Sequence, residues 1–399
     1  MIVGVVGKAN VGKSTFFKAL TLADVEIANY PFATIKPNHG VGFVRVECAD
    51  KEFDVQCDPR EGFCKDHIRF VAVNVIDVAG LVPGAHEGKG MGNQFLDDLN
   101  QANVLIHVID CSGSTNQGGE PVEKGSYDPA KDVKFLEEEL DFWYLRILKK
   151  DWEKLARKAQ QEHGNIATAI AKQMSGVGVN EDLAKDLINK LEFDKENPGS
   201  WNEEQLLALC KEFRKKTKPM VIAANKIDIP GAEENFERLK REFPEHMIIK
   251  CSAESELALK EAAKQEMIDY LPGSNNFKIA DDSKLSNQQK EALAFIESNM
   301  LKKHGSTGVQ DVLERAVFEK LGYMAVFPGG VNKLEDQDGN VLPDCFLMPS
   351  KTTVLDFAYR LHTDLGDNFI RAIDVRTKRN VGKEHKVEHR DVIEIVSGK

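Results

Sequence analysis

Five short apolar runs punctuate the first 250 residues, at 2–6, 70–76, 104–109, 219–224 and 247–250. Each is four to seven residues long, the length of a buried strand rather than a helix. Between the third and fourth runs the period changes. Val133, Leu136, Leu140, Trp143 and Ile147 recur at 3,4,3,4 spacing, and Leu183, Leu187 and Leu191 recur every fourth position. Both patterns predict helices with an apolar seam, and Glu137, Glu138 and Glu139 lie largely off the first seam. More than 100 residues separate these two strand runs, far more than one crossover helix needs. A helical insertion over 130–217 is therefore expected, folded as an antiparallel, coiled-coil-like arm. Helices laid flat on the core would give the same periodicity. From 283 to 322 the chain reads helical, and from 324 onward it reads strand-like. The expected organisation is an α/β unit at 1–129 and 218–273, the insertion at 130–217, a helical connection at 274–323 and a small module at 324–399.

The first run leads into Gly7-Lys8-Ala9-Asn10-Val11-Gly12-Lys13-Ser14, a complete G-x-x-x-x-G-K-S, and Thr15 to Leu20 then read as the start of a helix. Strand, glycine loop and helix in that order are the context a phosphate-binding loop requires. Glycines let several N–H groups converge, and the helix start adds partial positive charge. Residues 7–15, including Thr15, are thus candidate phosphate ligands. Lys13 would reach the β/γ-phosphates and the Ser14 hydroxyl would ligate Mg²⁺. The alternative, an ordinary glycine-containing turn, does not explain the context on both sides.

The second run ends in Asp77-Val78-Ala79-Gly80. Asp77 would hold Mg²⁺ through water, and the Gly80 N–H would meet the γ-phosphate. Thr34, between these motifs, is the candidate threonine that closes on Mg²⁺ and phosphate, although one loop threonine carries little information alone. After the fourth run stands Asn225-Lys226-Ile227-Asp228. The Asp228 carboxylate can accept two hydrogen bonds from guanine N1–H and N2–H₂, a pair that adenine does not offer. Ser252 and Ala253, after the fifth run, would touch guanine O6 through their amides. This order is that of a GTPase, with GTP/GDP and Mg²⁺ as ligands and Lys13, Thr34, Gly80 and Asn10 as candidate catalytic groups. The implied core is an α/β, doubly wound sheet with nucleotide at the C-terminal strand ends. A P-loop kinase fits less well, because the guanine motif is present and an acceptor site is not evident.

On these residues the chain resembles the YchF/Obg-like GTPase family along nearly its whole length, its archaeal members most of all. Residues 29–38 resemble that family's N-[YF]-P-F-x-T-I-x-P-N switch, and residues 77–95 its glycine-rich second switch. Val354 to Asp364 resemble the helix of a TGS domain, a ubiquitin-like β-grasp module, with 370–375 and 391–396 as its later strands. There are two departures. Bacterial and eukaryotic members carry an altered base motif and prefer ATP, whereas this chain keeps Asn225-Lys226-x-Asp228, so the chemistry of Asp228 predicts GTP. Those relatives also have a histidine in the loop after the next strand, and residues 111–127 contain none.

Composition adds limits. Hydrophobic residues make up 42% and charged residues 29%, ordinary for a globular protein, and the net charge is -11. No apolar run approaches ~20 residues, so neither a membrane nor, at this charge, DNA is an expected partner. The chain begins directly on a strand and its seven cysteines lack disulfide spacing, which suits a cytoplasmic protein. The last module reverses the charge. Arg371, Arg376, Lys378, Arg379, Lys383, Lys386 and Arg390 outnumber Asp374, Glu384 and Glu388, a pattern that suits ribosomal RNA or simply a solvated surface. Arg376, Lys378 and Arg379 are the expected contact group.

Weaker signals remain. Cys48, Cys57, Cys64 and His67 fall within about 20 residues, but only Cys64-x-x-His67 has metal-like spacing, so structural zinc and free thiols are both open. His107 reads as a core histidine, and Trp143, Trp152 and Trp201 as packing residues. Leu81 occupies the place where many GTPases have the water-orienting Gln, so slow turnover is expected. Asn10 either braces its loop or holds K⁺ against the phosphates. Two functions follow: a GTP-hydrolysing switch on ribosomes or RNA, or a nucleotide-dependent binding module whose hydrolysis is incidental and tolerant of ATP.

Overall fold

The structure, a computed structural model, describes residues 1–22, 39–78, 98–161 and 165–398. The motif stretch at 29–38, with Thr34, and the residues Gly80 and Leu81 lie outside the described residues.

A seven-stranded sheet forms the core, built from β1 (Ile2–Val6), β2 (His39–Glu47), β3 (Phe63–Lys65), β4 (Ile68–Asp77), β5 (Val104–Asp110), β6 (Met220–Asn225) and β7 (Met247–Lys250). The order is β2-β4-β1-β5-β6-β7, with β3 also on β4. Strands β4, β1, β5, β6 and β7 run parallel, and β2 is antiparallel on the edge. Every residue of β5 and β6 is buried, because helices cover both faces of the parallel sheet. That is why those strands read as unbroken apolar runs. In β2 the second half is buried at alternate residues, Val44 and Val46 among them, so it leaves no such run.

The register aligns one edge of the sheet. Val5 pairs with Asp77, Val6 with His107, and Asp110 with Asn225. The first crossover helix, Lys13–Thr21, starts at this edge.

Between β5 and β6 the described residues form five α-helices: Ala130–Lys149, Trp152–Gln161, Ile166–Met174, Glu181–Lys190 and Glu203–Thr217. The first and last run antiparallel. Arg214 binds Asp141 at 2.7 Å and Glu137 at 2.9 Å, while Lys149 meets Glu203 at 2.9 Å. The expected seam is buried at Val133, Leu136, Leu140 and Trp143. The three short helices fold back on this pair, and Trp152 stacks on Trp201 at 5.5 Å. One apolar cluster runs from Val6, Ile76 and Leu105 of the sheet through Leu136 and Leu140 to Trp201, so the insertion is rooted in the sheet's own core.

The C-terminal sheet contains Tyr323–Pro328, Phe346–Pro349, Phe369–Asp374, Arg379–Val381 and Val392–Ser397. Its first and last strands pair in parallel, and the helix Val354–Leu361 packs Val354 and Phe357 on it, the β-grasp arrangement. A shared core joins it to the main sheet. Val44, Val46, Phe327, Leu342 and Val392 belong to one cluster.

Candidate functional site

The aligned strand ends open onto a cleft of about 790 Å³. Its lining unites segments more than 200 residues apart: Lys8, Ala9, Asn10, Gly12 to Thr15, then Asn225, Lys226, Asp228 and Ile229, then Ser252 to Glu254. Gly7 and Val11 lie just behind this surface. A Cβ on Gly7 would stand 2.6 Å from the Val108 carbonyl oxygen of β5. Gly12 has φ +91°, and a Cβ there would stand 2.3 Å from Asn225 Nδ2. Both glycines of the loop are therefore required by close approach as well as by backbone shape. Gly12 leads directly into the helix Lys13–Thr21, whose first N–H groups have no partner within the helix and face an anion-binding position.

Lys13 Nζ sits 2.5 Å from Asp77 Oδ1, at the end of β4. Two of the expected phosphate and metal groups therefore share one point, beside the exposed Ser14. A hydroxyl and a carboxylate are the hard oxygen donors that Mg²⁺ takes, so the described residues fit that ion.

Asn225 is 2% exposed and ties three segments together. Its Nδ2 donates to the Val11 carbonyl at 2.9 Å, and its Oδ1 accepts from the Ala253 amide at 2.9 Å. The Ser252 amide donates to the Thr307 carbonyl at 2.8 Å. Ser252 and Ala253 do line the cleft, but both amides are engaged within the protein. These are the two amides expected to touch guanine O6. Asp228 is half-buried on the cleft wall.

Sequence reading missed Asp110. This carboxylate, 1% exposed at the end of β5, accepts from Ser112, Ser114 and Thr115 and binds Lys226 Nζ at 2.9 Å. Burial would raise its pKa, but the hydrogen bonds from Ser112 and Thr115 and the Lys226 ammonium outweigh burial and leave it below the usual range. The signal was present: an acid closing a strand that is apolar except for His107, between the glycine loop and Asn225-Lys226-x-Asp228. Lys226 also donates to the Asn10 carbonyl at 3.2 Å. The loop 111–127 folds back onto the glycine loop, where the Asn10 side chain donates to the Gly119 carbonyl at 2.8 Å.

Lys8 is the other surprise. Its ammonium turns away from the cleft into the protein. It binds Asp132 at 2.8 Å and the Thr115 carbonyl at 2.9 Å, and lies 3.9 Å above the Tyr127 ring. Burial lowers the Lys8 pKa and raises that of Asp132, against their mutual attraction. Desolvation therefore dominates this pair. It links the glycine loop to the first turn of the helical insertion, and only the Lys8 backbone is left for a ligand.

Residues 2–142 match the family model for a 50S ribosome-binding GTPase, and residues 223–330 match the model for the Obg-like GTPase YGR210-like, G4 motif-containing domain. An uncharacterized GTP-binding protein of Methanocaldococcus jannaschii is 51% identical over 397 residues, 99% of each chain. This chain belongs to the YchF/Obg-like GTPase family. Residues 337–397 match the TGS domain model, which completes the family's architecture. Obg-like ATPase 1 of Homo sapiens is 30% identical over 67% of this chain and 65% of its own. Among solved structures, a GTP binding protein from Pyrococcus horikoshii OT3 superposes with TM-score 0.79 at 37% identity, covering 100% of both chains. The YchF GTPase of Schizosaccharomyces pombe shares the fold, with TM-score 0.60 at 20% identity over 99% of this chain and 97% of its own.

This family member's basic surplus is divided. Arg376 and Arg390 do not face solvent as a nucleic-acid patch. Arg376 binds Glu52 of the segment after β2, and Arg390 binds Glu52 and also Glu47, the last residue of β2. Arg371, Lys378, Arg379, Lys383 and Lys386 are exposed. The expected contact group must lose Arg376, because a long-range ion pair had no sequence signature. His107 is 2% exposed, and its Nδ1 has no hydrogen-bond partner among the described residues. Burial, with His246 nearby, holds its pKa down at about 3, so it is a neutral core residue. No described helix is long and apolar enough to cross a membrane.

Proposed function

We propose that the cleft binds guanine nucleotide and that the protein hydrolyses GTP slowly as a conformational switch. One observation carries this reading: Asn225 joins the glycine loop at Val11 to the start of the helix Ala253–Lys264. The phosphate end and the base end are thereby held in one cleft, with Asp228 on its wall. The loop amides and the start of the helix Lys13–Thr21 would hold the phosphates, with Lys13 neutralising the β/γ oxygens. Ser14 and Asp77, with Thr34, would hold Mg²⁺, which supplies charge neutralisation at the same oxygens. Asp228 would accept from guanine N1–H and N2–H₂. The Gly80 amide would contact the γ-phosphate. Leu81 has no group that can orient water, so an activating partner is required for fast turnover.

For Asn10, the bond from its side chain to Gly119 supports the bracing role over a K⁺ site. Equal hydrolysis rates in K⁺ and Na⁺ are the corresponding result, and a K⁺-dependent rate that Asn10→Ala abolishes would restore the cation role.

The partner we propose is the ribosome or its RNA, reached through the exposed basic residues of the C-terminal module. The family model named for 50S binding and the relative named ribosome-binding ATPase YchF, 39% identical over 158 residues, support that choice. A second reading, a nucleotide-dependent binding module that tolerates ATP, is favoured by the relatives named Obg-like ATPase 1. Steady-state GTP and ATP hydrolysis with and without ribosomes separates the two. Stimulation specific to GTP supports the switch, and equal, unstimulated rates support the module.

A further inference from the structure

The segment between β2 and β4 gathers Cys48, Asp50, Cys57 and Cys64 around one point. One ligand atom from each lies within 4.8 Å of all the others. Cys48 Sγ and Cys57 Sγ are 3.5 Å apart, and Cys64 Sγ is 3.9 Å from Asp50 Oδ2. Cys48 and Asp50 are fully buried, and Cys57 is nearly so. We propose that these three thiolates and the Asp50 carboxylate form a tetrahedral site for a thiophilic divalent cation of the zinc class.

The distances suit that ion. Zinc–sulfur bonds of about 2.3 Å place two tetrahedral sulfurs about 3.8 Å apart. Three sulfur donors select a borderline-soft metal and disfavour Mg²⁺ or Ca²⁺. The surroundings already orient the carboxylate. His67 Nδ1 lies 3.0 Å from Asp50 Oδ1, and the Cys57 amide donates to Asp50 Oδ2 at 3.0 Å. An outer histidine on one oxygen leaves the other aimed at the sulfurs, as the outer partners of metal ligands do. Three thiolates and a carboxylate around a divalent ion carry two excess negative charges. The guanidinium of Arg69, 1% exposed and paired with Cys64 across β3 and β4, acts on Cys57 and offsets part of them. Binding displaces three thiol protons to solvent and changes no oxidation state.

The position gives the site a task. Its segment is the platform on which the C-terminal module rests. The Asp58 amide donates to the Val341 carbonyl at 2.8 Å, Arg69 donates to the Leu342 carbonyl at 3.1 Å, and Arg60 bridges Asp336 at 2.8 Å and Asp344 at 3.0 Å. Glu52 holds Arg376 and Arg390. This loop-rich platform contains little regular structure of its own. A bound ion would clamp it and so fix the angle between the main sheet and the C-terminal module.

The test uses the full chain purified in reducing buffer without chelator. Elemental analysis should find one zinc per chain. Metal-stripped protein titrated with Co²⁺ should develop thiolate charge-transfer absorption and the intense visible bands of tetrahedral cobalt, saturating at one equivalent. Cys57→Ser and Cys64→Ser should lose those bands, while Cys210→Ser, buried in the insertion, should keep them. Stripping should also make the chain near residues 330–345 several-fold more sensitive to protease. Wild-type protein with all its thiols reduced that shows no cobalt–thiolate absorption would overturn the site whatever the variants do. A Cys48–Cys57 disulfide in freshly prepared protein, or unchanged bands in Cys57→Ser, would overturn it equally.

Discussion

Asn225 Nδ2 and the Val11 carbonyl meet at 2.9 Å across 214 residues of sequence. The same side chain receives the Ala253 amide, so one buried amide group sets the distance between phosphate loop and base pocket. Asn225→Ala leaves that carbonyl and that amide buried and unpaired, at a cost of about 1–3 kcal/mol. Nucleotide affinity measured by calorimetry should fall roughly tenfold or more, with a lower unfolding midpoint in urea. Unchanged affinity would show that the two halves of the cleft are positioned by something else.

The Lys8–Asp132 pair predicts a stability effect rather than an affinity effect. Lys8→Met strands a buried carboxylate and should cost about 3–5 kcal/mol in chemical denaturation. Lys8→Met combined with Asp132→Leu removes both charges and should recover most of the loss. A double variant no more stable than the single one would contradict the desolvation argument.

His107 predicts a pH dependence. Its pKa falls from 6.5 to about 3 on folding, so the unfolded chain binds the proton that the folded chain refuses. The contribution is fully present above pH 6.5 and is lost as the pH falls from there toward 3, by about 1.4 kcal/mol per unit. In His107→Leu, urea midpoints measured across that window should fall less steeply with acid than in the wild type. Parallel curves would show that other groups carry the acid sensitivity.

Strands β1, β5, β6 and β7 and the nucleotide motifs were legible in the sequence for one reason. A strand buried on both faces is an apolar run, and its motif sits at the end that meets the ligand. β2 escaped because an edge strand alternates. Lys8 read as a phosphate ligand because its place in the loop is visible, whereas its partner Asp132 lies 124 residues away. Arg376 read as part of a nucleic-acid patch for the same reason, since its pairing with Glu52 crosses 324 residues. The cysteine cluster was undecided because its ligands come from the irregular connection between β2 and β4, and linear spacing does not encode how that connection folds back on itself.

The exposed basic group of the C-terminal module should carry ribosome association. Reversing Lys378, Arg379 and Lys383 to Glu should weaken co-sedimentation with ribosomes. The salt dependence should become shallower by about one unit of slope for each phosphate that is no longer neutralised. GTP affinity should stay the same. Equal pelleting of variant and wild type at every salt concentration would leave these residues as a solvated surface.

Guanine selectivity through Asp228 is the central claim, and calorimetric titration of the unmodified protein with GTP and with ATP tests it most directly. Two hydrogen bonds to a carboxylate should favour GTP by about 2–4 kcal/mol. Asp228→Asn should lose that margin and turn the preference toward xanthosine triphosphate. ATP bound as tightly as GTP by the unmodified protein would contradict the account.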